Sequence, residues 1–290
     1  MKTLIFDPIH PEAESLLKEK ASLLPAKISE FNQSHPDVEA VVLRTHTTLT
    51  NRELDLLPNL KYIVSCSVGL DNLDLEEIKQ RNINLIHCPG TNANSVAEHT
   101  VYFIFSLLRN SERPFPELKN KTLGIIGFGH IGKLVAKKFR GCDLRIIAFD
   151  IIQPEEKVLN ELNVEMKTFD EVLAESDILT IHVNLNKHTE KLINGPAFEK
   201  MKDHSYFINT SRAEVVDEEA LLHYFDLKKF KGLALDTYSE SLKQNLSQNA
   251  NKNIFLTDHV AAQGEESFRE MCLQPIKKFV EEISHKVNNL

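Results

Sequence analysis

Gly127, Gly129 and Gly132 stand in the run LGIIGFGHIG (123–132) at the spacing Gly-x-Gly-x-x-Gly, a pattern suited to binding a pyrophosphate. The first glycine permits a tight turn, the second lets the backbone approach the phosphates, and the third lets a helix pack close to a strand. Amides at the start of that helix, around His130 and Ile131, then face the anion with the positive end of the helix dipole. Asp150 lies 18 residues past Gly132, at the end of the next apolar run. A carboxylate there accepts hydrogen bonds from both ribose hydroxyls and repels a 2′-phosphate, and no arginine follows it, so the expected cofactor is NAD rather than NADP. A second group of reactive side chains follows three later apolar runs: Thr210-Ser211-Arg212, Asp236-Thr237-Tyr238-Ser239-Glu240 and Thr257-Asp258-His259. An arginine, a carboxylate and a histidine therefore leave adjacent strand ends, where open α/β sheets bind ligands. Ser67-Val68-Gly69, a small-residue turn after an earlier apolar run, offers amides that can cradle a carboxylate.

The elements that must position these groups alternate in type. The strand Leu123–Ile126, the helix Ile131–Phe139 and the acid at 150 supply the βαβ context that the glycine spacing requires. Upstream, Thr3–Phe6, Ala40–Leu43, Tyr62–Val64 and Asn84–Ile86 read as strands, with helices at Glu12–Lys20 and Leu73–Arg81. Such alternation predicts a parallel sheet, and residues 1–92 form a first α/β domain. Downstream, strands are expected at Ile178–Val183, Tyr206–Asn209, Gly232–Leu235 and Asn253–Leu256, completing a doubly wound sheet of six parallel strands. Ser95 and Glu98 have the form of a capping box before an apolar helix, Val101–Leu108, that bridges the domains. Glu98 and His99 are accordingly read as structural rather than catalytic. The segment Glu265–Val287 has helical apolar spacing, with Pro275 expected to start or kink its main run, and returns to the first domain.

The 290 residues are 42% hydrophobic and 26% charged, with a formal net charge of −8. That balance argues against nucleic acid or an anionic membrane as partner. Four cysteines without a CxxC pair predict reduced thiols, and no signal peptide or membrane span is apparent, so a cytoplasmic protein is expected. No metal site is expected.

Taken with SVGLDNLD (67–74), CPGTNANSVAEH (88–99) and NTSRAEVVDEEAL (209–221), the chain closely resembles the D-isomer-specific 2-hydroxyacid dehydrogenases over nearly its whole length. The resemblance implies an NAD-dependent oxidoreductase that interconverts a small anionic D-2-hydroxy acid and its 2-oxo acid. It implies an α/β fold of two domains: a Rossmann doubly wound sheet over 93–263, and a smaller flavodoxin-like substrate domain from 1–92 and 264–290. Arg212 matches the arginine that holds the substrate carboxylate, and His259 the acid–base group. Asp236 matches a position near the nicotinamide, or else caps the next turn. The family's histidine has a glutamate partner five residues beyond that aspartate, followed by proline; here Ser241 stands there. Glu240, one residue early, is either that partner after a loop deletion or an ordinary loop carboxylate. Ala213 and Asn184 replace a family glycine and proline, and the connector Asn110–Lys121 lacks the tryptophan-bearing arm used in dimerisation, although a homodimer is expected. Arg44, with His46, stands where relatives place a basic group toward the substrate, and suits a phosphate or second carboxylate; a surface arginine is the alternative. The substrate is thus a 2-hydroxy acid that includes phosphorylated candidates such as 3-phosphoglycerate. The altered Glu240-Ser241 loop also raises a second reading, an NAD-binding regulator or scaffold without turnover.

Overall fold

The computed structural model describes residues 1–111, 113–248 and 253–288. Glu112 of the connector and the last two residues of the 264–290 segment lie outside the described residues. The chain divides into two compact units, Met1–Asn92 with Gln263–Leu290, and Ala93–Ala262.

In the first unit, β1 (Lys2–Ile5), α1 (Pro11–Lys18), β2 (Ser22–Pro25), β3 (Ala40–Leu43), α2 (Asn51–Asp55), β4 (Tyr62–Ser65), α3 (Leu75–Gln80) and β5 (Asn84–Ile86) follow in order. The sheet runs β2-β1-β3-β4-β5 with every neighbour parallel, the flavodoxin-like order. β3 and β4 are short apolar runs buried at every residue, as parallel strands covered on both faces must be. β2 carries no readable signal: it is a four-residue edge strand ending in proline, half exposed, and proline is confined to such positions.

The second unit contains α4 (Ala93–Arg109), β6 (Thr122–Ile126), α5 (His130–Phe139), β7 (Arg145–Phe149), α6 (Glu156–Leu162), β8 (Val164–Met166), α7 (Phe169–Glu175), β9 (Ile178–Ile181), α8 (Gly195–Lys200), β10 (Ser205–Asn209), α9 (Glu218–Asp226), β11 (Phe230–Leu235), α10 (Glu240–Ser247) and β12 (Ile254–Leu256). Its sheet has seven strands in the order β12-β11-β10-β9-β6-β7-β8, all parallel. Counted from β6 this is the doubly wound dinucleotide-binding order, with the switch point between β6 and β9. The expected six strands are thus corrected to seven, because the three-residue edge strand β8 is too short to show periodicity.

Two local expectations are overturned by packing. α4 begins at Ala93, so Ser95 lies inside the helix and does not cap it. The Ser95 hydroxyl instead donates to the Ala261 carbonyl at 2.7 Å, while Glu98 accepts from Asn94 Nδ2 at 3.1 Å and Lys138 Nζ at 3.0 Å. Burial of Ala93, Val96, Ala97 and Thr100 on one face extends the helix upstream of that local start signal. Of the two expectations for Pro275, a start or a kink, the start is not what forms: the last helix, α11 (Glu265–Asn288), runs through it. Cys272, Leu273, Ile276, Phe279 and Val280 are buried on both sides of the proline against Ala13, Leu17, Tyr62 and Val64. That packing outweighs the cost of about 3 kcal/mol for an interior proline. Among the described residues no helix is long and apolar enough to cross a membrane.

Candidate active site

Because all seven strands of the second sheet are parallel, β6, β9, β10, β11 and β12 deliver the residues that follow them to one edge. β6 runs into the glycine turn, and the three glycines have separate physical reasons. Gly127 has φ +93, and a Cβ there would lie 2.7 Å from the His182 carbonyl carbon. A Cβ on Gly132 would lie 2.3 Å from the Gly127 oxygen, so this glycine lets α5 approach β6. Gly129 differs: its φ of −80 lies outside the left-handed region, and a Cβ would meet nothing within 4 Å. The protein's own packing does not require a glycine at 129, whereas a pyrophosphate lying on the backbone does. The amides of the first turn of α5, from His130 and Ile131 onward, have no acceptor within the helix and can serve it. Asp150 accepts from the Phe128 amide at 2.6 Å and the Ile152 amide at 2.9 Å, which fixes its carboxylate beside the turn. Ile151 and Ile152, 90% and 73% exposed, supply no charge to pair a 2′-phosphate. The arrangement fits NAD.

β10 ends at Asn209, which is 1% exposed and organises the Arg212 loop. Its carboxamide oxygen accepts from the Ser211 amide at 2.9 Å and hydroxyl at 2.8 Å, and its Nδ2 donates to the Arg212 carbonyl at 2.9 Å. Thr210 and Ser211 are buried, and Arg212 is half-buried with Nη1 donating to the Ser211 carbonyl at 2.9 Å. Asn209 was overlooked in the sequence, although an asparagine closing a strand before Thr-Ser is a recognisable turn-former. Beneath this loop lies His182, just past β9. Its Nε2 is 3.0 Å from the Thr180 hydroxyl and its Nδ1 3.4 Å from that of Thr210, which in turn is 3.3 Å from the Thr100 hydroxyl.

Desolvation pushes the His182 imidazole down to about 3. The folded state therefore refuses a proton that the unfolded chain accepts near 6.5, so this contribution is full at neutral pH and is lost as pH falls from about 6.5 toward 3. One such group gives a slope of at most about 1.4 kcal/mol per pH unit. Denaturant melts of wild type and His182→Gln between pH 7 and 4 are expected to show the wild type losing stability faster. Parallel pH dependence would refute the assignment.

β11 runs into Asp236, whose carboxylate is 1% exposed. Oδ1 accepts from the Thr257 hydroxyl at 2.6 Å and the Val260 amide at 2.9 Å, and Oδ2 accepts from the Ala261 amide at 3.0 Å. These bonds anchor the loop after β12. His259 is exposed, with φ +54, and its amide donates to the carbonyls of Asp236 and Thr257, both at 2.9 Å. Glu240 is exposed at the first turn of α10, whose Ser239 cap accepts from the Leu242 amide at 3.1 Å. Two contacts brace this loop: Ser239 donates its amide to Glu218 at 2.7 Å, and Tyr238 Oη donates to Asp258 at 2.6 Å. Burial and the Asp258 carboxylate push the Tyr238 phenol well above its usual range. His99, read from the sequence as structural rather than catalytic, comes to this cluster on α4, its Nε2 lying 3.1 Å from the Thr257 hydroxyl. No local signal marks it, because the contact joins residues 158 positions apart.

In the first unit, the Ser67–Gly69 turn follows β4. The Ser67 hydroxyl lies 2.8 Å from that of Ser65 and 3.3 Å from the Gly69 carbonyl. Arg44, after β3, donates its amide to Asp7 at 2.6 Å and stacks its guanidinium 4.7 Å from the Phe268 ring centre. Its Nε is buried with no hydrogen-bond partner among the described residues. Among the described residues no group of three or more His, Cys, Asp or Glu side chains is arranged to hold a metal ion.

Comparison with known proteins agrees with this geometry. Residues 85–261 match the family model of the D-isomer specific 2-hydroxyacid dehydrogenase NAD binding domain. A hydroxypyruvate reductase of Thermotoga maritima is 31% identical over 96% of this chain and 96% of its own length. A D-3-phosphoglycerate dehydrogenase of Archaeoglobus fulgidus is 31% identical over 92% of this chain, which spans only 54% of that larger protein. The crystal structure of a D-lactate dehydrogenase from Aquifex aeolicus, complexed with NAD and lactic acid, superposes with a TM-score of 0.84 at 27% identity, covering 100% of this chain and 97% of that one. Residues 85–261 thus form the NAD-binding domain of an oxidoreductase, and the chain belongs to the D-isomer-specific 2-hydroxyacid dehydrogenases.

Proposed function

We propose that this enzyme interconverts a small D-2-hydroxy acid and its 2-oxo acid, with Arg212 and His259 as the groups that act on the substrate. The observation that carries the reading is the delivery of the Arg212 loop, the Asp236 loop and His259 by three adjacent strands, β10, β11 and β12, to the sheet edge that bears the glycine turn. NAD, when bound, supplies the hydride acceptor for the hydroxy acid or, reduced, the donor for the oxo acid. Arg212 presents a planar fork that pairs with the substrate carboxylate and draws charge onto the neighbouring carbonyl oxygen. His259 protonates that oxygen as it becomes an alkoxide and takes the proton back in the reverse direction; imidazole suits both roles near neutral pH. Glu240, from the loop after β11, is the carboxylate we assign to favour the charged form of His259.

On the first unit, the amides of Ser67, Val68 and Gly69 are suited to the substrate carboxylate. Arg44, with a buried Nε that has no acceptor among the described residues and its guanidinium stacked on Phe268, suits a phosphate or second carboxylate at the far end of the molecule. The named relatives act on hydroxypyruvate, 3-phosphoglycerate and lactate, which share the 2-hydroxy or 2-oxo acid group and differ in the tail that Arg44 would meet.

The test is a substrate panel. Purified protein with NADH is mixed with glyoxylate, hydroxypyruvate, pyruvate and 3-phosphohydroxypyruvate, and nicotinamide absorbance is followed. At least one 2-oxo acid is expected to be reduced, with the anionic-tailed member showing the lowest KM. Tight NADH binding with no oxidation by any member would sink the proposal.

A further inference from the structure

We propose that His99, Thr257 and Asp236 form a hydrogen-bond relay that holds His259 in its left-handed backbone conformation, making His99 and Thr257 positioning residues for the acid–base histidine. The inference rests on the role proposed above for His259.

The direction of the relay follows from its donors. Thr257 has one hydroxyl proton, and at 2.6 Å it goes to Asp236 Oδ1, because a carboxylate can only accept. The Thr257 oxygen is then the acceptor for His99, whose Nε2 is 3.1 Å away and must carry the ring's proton. His99 reaches Asp236 itself only at 3.8 Å, so Thr257 is the intermediary. Burial holds the His99 imidazole below its usual range despite the nearby carboxylate, which leaves the neutral ring with one N–H to give. Phe103, with its ring centre 4.4 Å from that of His99, fixes the ring's other side.

The relay ends on the segment that carries His259. Asp236 takes the amides of Val260 and Ala261 on the C-terminal side of the histidine, and its own carbonyl takes the His259 amide. Ser95, one turn before His99 on α4, donates to the Ala261 carbonyl at 2.7 Å, so the same helix holds the loop twice. A histidine at φ +54 occupies a sparsely populated region that persists only where surrounding contacts over-determine it. Here the amides of residues 259, 260 and 261 are all claimed by Asp236, and Thr257 ties Asp236 to the strand end just before them. Without the Thr257 hydroxyl, Asp236 loses one of three side-chain donors and His99 keeps an N–H with no acceptor.

The experiment uses Thr257→Val, which removes the hydroxyl at nearly constant volume, and Thr257→Ser, which restores it, with His99→Leu and His99→Gln as the matching pair on the other side. Glutamine places an amide N–H close to the imidazole Nε2 position. On the best 2-oxo acid of the panel, Thr257→Val and His99→Leu are expected to lower kcat about 10–100-fold, the scale of a misplaced catalytic group. KM for the oxo acid and the NADH Kd should stay within about threefold, and Thr257→Ser and His99→Gln should recover most of kcat. A crystal structure of Thr257→Val should show residue 259 displaced from φ near +54. If Thr257→Val does not fold, the His99 pair makes the same comparison. A kcat within threefold of wild type in Thr257→Val or His99→Leu, beside a crippled His259→Gln, overturns the relay alone. Equal losses in kcat and NADH affinity also overturn it, since they signal general damage. An unaffected His259→Gln overturns the acid–base reading and the relay with it.

Discussion

Replacing His259 with glutamine is expected to lower kcat about 10²–10⁴-fold on any 2-oxo acid the enzyme reduces, the usual worth of a positioned general acid. NADH affinity should stay within about threefold, because the glycine turn and Asp150, which we assign to the dinucleotide, follow β6 and β7, four and five places from β12 in the sheet. Glutamine retains a donor of similar reach but cannot release a proton to an alkoxide at neutral pH, so the loss should fall on kcat and not on KM. Steady-state kinetics with a parallel NADH fluorescence titration separates the two. Activity retained at more than a tenth of wild type would remove His259 from the acid–base role. The exposure of His259 favours that role, since a group that exchanges protons with both substrate and solvent must be reachable, whereas desolvation takes the His182 imidazole down to about 3, away from neutral pH.

The second large effect concerns two glycines two residues apart. Gly127→Ala would force a Cβ onto a left-handed residue, at about 1–2 kcal/mol, and press it against the His182 backbone at 2.7 Å, at about another 1–3 kcal/mol. The expected outcome is a fall in stability of about 2–5 kcal/mol together with loss of NADH binding. Gly129→Ala should leave stability within about 1 kcal/mol, since its Cβ meets no protein atom and its φ is ordinary, yet reduce NADH affinity at least about tenfold. Thermal melts and NADH titrations of both variants make the comparison. Equal NADH affinity in Gly129→Ala and wild type would show that the dinucleotide does not lie against this residue.

The contrast between these glycines shows where sequence reading works. Spacing alone identified a phosphate turn, and the strand–turn–helix context made it specific. The separate reasons for each glycine needed coordinates, since Gly127 is pressed by His182, 55 positions away in the chain. Strands with a buried apolar run were also legible: β3 is apolar throughout, and β7 and β10 each carry apolar residues at their centre. The edge strands β2 and β8 were not, because three or four half-exposed residues carry neither length nor alternation. Ser95 and Glu98 show the opposite failure, a true local capping pattern that burial of the α4 face overrode.

Determined by the sequence were the two parallel α/β sheets, NAD as cofactor, and an arginine, an aspartate and a histidine closing successive strands, because hydrophobic period, glycine spacing and strand-end position are local properties. Tertiary structure decided what each polar group is for. Only folding places His99 beside Thr257, turns Asp236 inward onto the His259 loop, and seats Asn209 under Arg212. The reason is physical: a buried carboxylate or amide must find partners wherever the fold brings them, and some of those partners are more than a hundred residues distant.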